Sequence, residues 1–162
     1  MNSREQLVET FKDEMPRFVR ALEAVPEGKL DWRPHERSRS AADLMAVFAD
    51  EAAMLLAIVK SGRFDMGAFK PSTFPSSAAA AAAFRKGMEE TLTALGSCDD
   101  AQWDGPARFM AGEKVEWETT LGGMAWGFLL DLIHHRGQLT VYIRPMGGRV
   151  PSIYGPSADE NG

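Results

Sequence analysis

Asp131-Leu-Ile-His-His-Arg-Gly-Gln-Leu-Thr-Val-Tyr-Ile-Arg144 is the stretch on which the reading of this chain turns. Phe128, Leu132, His135, Leu139 and Tyr142 recur at helical spacing and make one inward stripe of a helix over roughly Thr120 to Arg144. Asp131 stands one turn before His135, at the edge of that stripe, and residues at i and i+4 share a helix face. A carboxylate and an imidazole are costly to bury unless they pair or hold a metal ion, and this spacing allows both. His134 is rotated by about 100° from its neighbour, so the two histidines cannot both face inward. Gly137 removes a side chain beside the pair at a helix-propensity cost of roughly 1 kcal/mol, leaving room for a ligand or another helix. Pro145 and Gly147-Gly148 end the segment.

Three further helices precede it. Ser3 followed by Gln6 has capping-box spacing. From there Leu7, Val8, Phe11, Met15, Phe18, Val19 and Leu22 continue at helical period to about Val25, with a kink expected at Pro16. Ser40 with Asp43 opens a second helix. Its stripe is Leu44, Val47, Phe48, Glu51, Met54, Leu55, Ile58 and Val59, and it stops at Ser61-Gly62. A third spans about Ser77 to Leu95. Its alanine run, Ala78 to Ala83, allows close helix approach within the subunit or across a dimer, and Gly96 fits a C-terminal cap. Arg63 to Ser77, rich in Gly, Pro, Phe and Ser, reads as a long crossover. Asp99 to Thr119 reads as irregular, with Ala107–Met110 and Val115–Trp117 able to pair as a short hairpin around Gly112. Lys29 to Arg39 is a loop, with Trp32 packed as its anchor and His35 exposed. Pro151 to Pro156 is an extended tail whose Ile153 and Tyr154 fold back. The expected fold is therefore all-α: one domain over residues 1–162, a four-helix bundle with a long crossover connection. Such bundles place metal and cofactor sites in their cores.

The 162 residues are 44% hydrophobic and 25% charged, the proportions of an ordinary globular chain. A net charge of −5 argues against a nucleic-acid surface, and the one dense basic cluster, Arg33, Arg37 and Arg39, lies in a loop. No apolar run approaches the ~20 residues of a membrane span. Met1 to Gln6 lacks the apolar core of a signal peptide. Cys98 is the only cysteine, which excludes an internal disulfide, suits a cytoplasmic protein and reads as a loop thiol with no base nearby. There is no phosphate-binding glycine loop, no Cys-x-x-Cys, no His-Glu-x-x-His and no nucleophile elbow.

His134-His-Arg-Gly-Gln-Leu139, Tyr142-Ile-Arg144 and the tail Pro151-Ser-Ile-Tyr-Gly-Pro-Ser-Ala-Asp159 closely resemble the DinB-like family of four-helix bundles. Val25-Pro-Glu-Gly-Lys-Leu-Asp-Trp-Arg-Pro-His35, running into Ser38-Arg-Ser-Ala41, resembles the same family's first connection. The resemblance implies a bundle that often dimerises and often carries zinc or nickel on three histidines, one from the second helix and two four apart on the fourth. It also implies thiol transfer or isomerisation with a low-molecular-weight thiol, where a metal favours the reactive thiolate. Carried over by position, the second-helix histidine falls on Val47, which cannot ligate. The other two fall on Asp131, which can, and on His135, which is retained. Glu51, one turn beyond Val47, can replace the missing ligand. A Glu51-Asp131-His135 set is harder and favours manganese, iron or magnesium. His134 and Tyr142 are then candidates for contacting a cofactor. Two readings follow: a metal-assisted small-molecule enzyme, or a non-catalytic, stress-associated binding protein or homodimer in which Asp131 and His135 merely hydrogen-bond.

Overall fold

The computed structural model describes residues 2–161. Helix α1 (Ser3–Glu23) begins one residue earlier in register than the Ser3–Gln6 spacing suggests. Asn2 is the cap: its side chain accepts from the Glu5 amide at 2.9 Å, and the Glu5 carboxylate accepts from the Asn2 amide at 3.0 Å. Ser3 instead accepts from the Trp126 indole at 3.2 Å. Pro16 does not interrupt α1, which is helical on both sides of it.

Helix α2 (Ala41–Ser61) opens with the expected reciprocal Ser40–Asp43 cap, both bonds 3.1 Å, and closes at Gly62 with φ 72°. That left-handed conformation favours glycine. Between α1 and α2, Trp32 packs edge-on against Tyr142 at 5.2 Å between centroids, while His35 is exposed.

Helix α3 (Ser77–Ser97) runs through Gly96 and is capped at Cys98. Cys98 is thus no loop thiol. It is buried, its Sγ donates to the Ala94 carbonyl at 3.4 Å, and burial pushes its pKa up, away from the reactive thiolate. Helix α4 (Asp100–Asp104) is short, and the last helix, α5 (Leu121–Ile143), is capped by Thr120.

The long helices form a ring in which α1 and α2 each pack against both α3 and α5. Phe18, Phe48 and Phe84, one from each of α1, α2 and α3, meet edge-on at 5.6 to 6.1 Å. The small residues of α3 are used inside the subunit. Ala80 and Ala81 are buried, a Cβ on Gly87 would lie 3.1 Å from that of Ala52, and the Thr91 hydroxyl donates to the Ala52 carbonyl at 3.1 Å.

The all-α expectation needs correction. Strand β1 (Arg63–Asp65) runs parallel to β2 (Pro106–Ala111), which pairs antiparallel with β3 (Lys114–Thr120), giving a sheet of order β1-β2-β3. The hairpin turns at Gly112, φ 62°, as the local pattern suggested, but its strands run further in both directions. The third strand comes from the crossover segment. Arg63-Phe-Asp65 is too short to show a period, and its partner is far downstream.

Two glycines seat this sheet and α4 on α5. A Cβ at Gly122 would lie 2.5 Å from the Trp103 ring, and one at Gly127 would lie 2.4 Å from the Trp117 ring. Both neighbours are rigid indoles. Gly127→Ala is therefore expected to destabilise by about 1–3 kcal/mol through overpacking, although alanine is the better helix former. The measurement is the urea midpoint; an unchanged or raised midpoint would show that Trp117 is free to move.

The tail folds back as expected. Arg17 Nε donates to the Ile153 carbonyl at 3.2 Å, and the Tyr154 hydroxyl donates to Glu14 Oε2 at 2.9 Å. Among the described residues no helix is long and apolar enough to cross a membrane.

Candidate metal centre

The three consecutive residues His134-His-Arg136 show how α5 divides its work. Each residue turns about 100° from the last. His134 is exposed on the outer face, His135 turns into the groove toward α2, and Arg136 turns into the groove toward α1.

His135 Nε2 lies 3.3 Å from Glu51 Oε1 and 3.6 Å from Asp131 Oδ2, and one potential ligand atom from each of the three residues falls within 4.8 Å of the others. The Glu51 and His135 side chains are 7% and 11% exposed, whereas Asp131 is 57% exposed and sits at the mouth. At 3.6 Å, Asp131 and His135 do not form a hydrogen bond, so the simple pairing of those two is not what the structure contains.

The other ring nitrogen explains the orientation. His135 Nδ1 is 2.8 Å from Gln138 Oε1, which can only accept. Nδ1 therefore carries the proton, and in the neutral ring Nε2 turns its lone pair toward the carboxylates. A ligating histidine is usually held in this way by a second partner.

Burial is the largest influence on Glu51 and pushes its pKa up to about 7, and the nearby Asp131 charge adds to the rise. His135 is raised above 6.5, first by its contact with Glu51 and then by Gln138. The first shift reflects chiefly burial, the second the carboxylate beside the ring. Glu51 Oε2 is itself buried and has no hydrogen-bond partner. Native proteins leave few such atoms, and an ion is one of the accepted reasons for one.

Two clefts open onto the cluster. One of about 420 Å³ is lined by His135, Glu51 and Asp131, and also by Val47, the position to which the family's second-helix histidine was carried. A smaller one of about 200 Å³ shares Glu51 and Asp131 and is otherwise walled by apolar residues and Gly127.

Of the residues singled out from sequence, Glu51, Asp131 and His135 come together, while His134 and Tyr142 stand outside the cluster. Tyr142 is buried, and its hydroxyl donates to the Arg39 carbonyl at 3.1 Å. Gly137, thought to open space beside the pair, has no neighbour within 4 Å and faces outward. Gln138 was missed, although its position three residues after His135 is a contact spacing on a helix.

Glu14 was missed too. It is a charge on the inward stripe between Phe11 and Phe18, and it is buried against Arg136. That position was the available signal.

The sequence profile of the DinB superfamily matches residues 10–139. This chain belongs to the DinB superfamily. Among solved structures it is similar to a DinB-like protein from Bacillus cereus, at a TM-score of 0.74 and 17% identity, covering 93% of this chain and 97% of that one. It is likewise similar to a DinB-like protein from Bacillus subtilis, at 0.67 and 20% identity, covering 88% and 92%. No curated protein matches it significantly. At these identities the two structures speak for the DinB fold alone. The Glu51-Asp131-His135 arrangement rests on this chain's own residues.

Proposed function

We propose that this DinB-like protein binds one divalent cation through Glu51, Asp131 and His135 and acts with it on small molecules, in chemistry of the thiol-transfer or detoxification type. The observation that carries the reading is the partnerless, buried Glu51 Oε2 beside an imidazole whose free nitrogen faces two carboxylates. Two oxygen donors and one nitrogen donor suit manganese or iron, and zinc or nickel remain compatible. A bound ion would favour the deprotonated form of a thiol or water at its open positions. Gln138 holds the imidazole, Glu51 supplies the buried charge and a proton acceptor, and Asp131 admits ligand from the solvent side. Tyr142 acts at one remove, through its hydrogen bond to the Arg39 carbonyl, and His134 stays on the outer face of α5.

The test is metal analysis and calorimetry on protein purified without chelator or polyhistidine tag. One ion per chain is expected. It should be lost in His135→Ala and weakened about 10–100-fold in Gln138→Ala. At a hundredfold excess over Kd the ion should stabilise the fold by about 2.7 kcal/mol. No binding of any divalent ion leaves the second reading, a non-catalytic binding protein, which Val47 in place of a ligand favours.

The homodimer belongs to the same proposal. Leu130 and Val141 are 64% and 70% exposed on the outer face of α5, with Gly137 between them open to close approach. Leu130→Glu should convert a dimer to monomer in light scattering without changing the helical circular dichroism. A wild-type chain that is monomeric at high concentration removes this part.

A further inference from the structure

We propose that the larger cleft beside the metal cluster binds a small organic amine in its protonated form, with Asp50 receiving the ammonium group and apolar side chains receiving the body. This extends the metal reading to a substrate class, and rests on that reading only for the neutralisation of Glu51 and Asp131.

Among the described residues three carboxylates are buried: Glu14, Asp50 and Glu51, each 6% exposed. Glu14 is paired with Arg136, and Glu51 faces His135. Asp50 has no basic partner among the described residues. Its one hydrogen-bond donor is the Ser72 amide, shared between its two oxygens at 3.2 and 3.3 Å. Most of the accepting capacity of this carboxylate is therefore unused. Burying such a group is costly without a compensating cation.

Asp50 lines the cleft of about 420 Å³, which carries four carboxylates, Asp43, Asp50, Glu51 and Asp131, against one arginine, Arg39. Arg39 serves Asp43. That carboxyl is held below its usual range first by Ser40, through side chain and amide, and then by Arg33 and Arg39. Asp43 lies seven residues before Asp50, about 10 Å back along α2. A divalent ion on the cluster would answer Glu51 and Asp131, which leaves Asp50 as the uncompensated charge. Glu51 Oε2, buried on the same wall, is a second and separate acceptor that no protein group satisfies.

The walls around Asp50 are apolar. Val47 and Met54 stand one turn to either side of it on α2, and Phe69 from the crossover and Phe109 from β2 also line the cleft. Both rings lean on Phe64, at 5.4 and 5.5 Å between centroids, so they are fixed before any ligand arrives. Aromatic faces attract an ammonium group as well as an apolar body. One carboxylate among such walls is too few ligands for a second metal ion. It suits a single cation that carries N–H donors and a short hydrocarbon.

The experiment uses full-length protein saturated with manganese at neutral pH. Calorimetry compares benzylamine and butylamine, both protonated there, with benzyl alcohol and benzoate. Benzylamine should bind at least about tenfold more tightly than benzyl alcohol, the worth of one charge-assisted hydrogen bond, and benzoate should be weakest. Asp50→Asn keeps an acceptor for the Ser72 amide and removes the charge. It should erase the preference for amine over alcohol while manganese stays bound. A purely structural Asp50 would shift the melting temperature and leave that preference intact. Failure of both amines to bind, a preference that survives Asp50→Asn, or displacement of manganese by the amine overturns the proposal. Should the protein take up no manganese, the same comparison is made without it. A preference that depends on Asp50 then defeats the metal reading and leaves this one standing, whereas a preference lost in Glu51→Gln and kept in Asp50→Asn overturns it.

Discussion

Arg136→Ala is expected to cost about 3–5 kcal/mol of folding stability, enough to remove a large part of what holds a domain of this size together. Arg136 is 3% exposed and Glu14 is 6% exposed, and the two are directly paired. The same guanidinium donates to the Tyr154 hydroxyl at 2.5 Å and lies over the Phe18 and Tyr154 rings, each at 4.9 Å. Glu14 also accepts from Arg17 at 3.1 Å and from Tyr154 at 2.9 Å. Truncating Arg136 leaves a buried carboxylate with much of its compensation gone, which is why the cost exceeds that of a surface pair. Glu14→Ala should be similar. Tyr154→Phe should cost only about 1 kcal/mol, since one hydrogen bond is lost and the ring remains. The paired change Glu14→Met with Arg136→Met should recover most of the loss, because no charge is left unpaired. Denaturant unfolding of the four variants decides the matter. A single Arg136→Ala effect below about 1 kcal/mol would mean that the network does not join the tail to the bundle.

Glu51→Met is expected to work in the opposite direction. Without metal at pH 8 it should stabilise the fold by about 2–3 kcal/mol and abolish the response to divalent ions. A rise from 4.5 to about 7 means that ionising Glu51 opposes folding by on the order of 3 kcal/mol. The sign follows from proton linkage. Below pH 4.5 Glu51 is protonated in both the folded and unfolded states and contributes nothing. Between about 4.5 and 7 the unfolded state has already released this proton while the folded state still holds it, so stability falls across that window and levels off once the folded group ionises. His135, raised above 6.5, acts in the same direction: its contribution is complete below 6.5 and is lost as pH rises through its folded value. Metal-free wild type should therefore lose stability between about pH 4.5 and 8, while Glu51→Met should be much flatter. The same acidic groups repel protons and attract cations, so the stabilisation by added manganese should be larger at pH 8 than at pH 6. A methionine variant less stable than wild type at pH 8 would show that the Glu51–His135 contact stabilises the fold on its own account. Stability given up for a buried charge is the usual mark of a residue kept for function.

Much of the bundle was legible because its signals are local. The Ser40–Asp43 cap, the Gly62 stop and the α5 stripe each depend on residues within one or two turns. The sheet was only half legible for the corresponding reason. The β2–β3 hairpin announces itself by alternation around Gly112, whereas β1 has three residues and a distant parallel partner. The site divides the same way. Asp131 and His135 are visible as i and i+4 on one helix, and Glu51 as the polar member of an apolar stripe on another. The role of Gly137 ran against local expectation, and that of Arg136 went unread. Arg136 is a buried structural residue, and Gly137 faces open space rather than the pair.

Helical period and end-capping chemistry are properties of neighbouring residues, so the order and extent of the long helices, and the face on which each ligand candidate lies, were already determined by the sequence alone. Which of those faces meet was decided only in three dimensions, by packing α5 between α1 and α2. That packing leaves Glu51 Oε2 without a partner, sends Asp131 to the solvent edge, and sets Phe109 and Trp117 from the sheet over the cluster. The physical reason is that burial and long-range pairing depend on what the rest of the chain places opposite a residue, and no window of sequence contains that information.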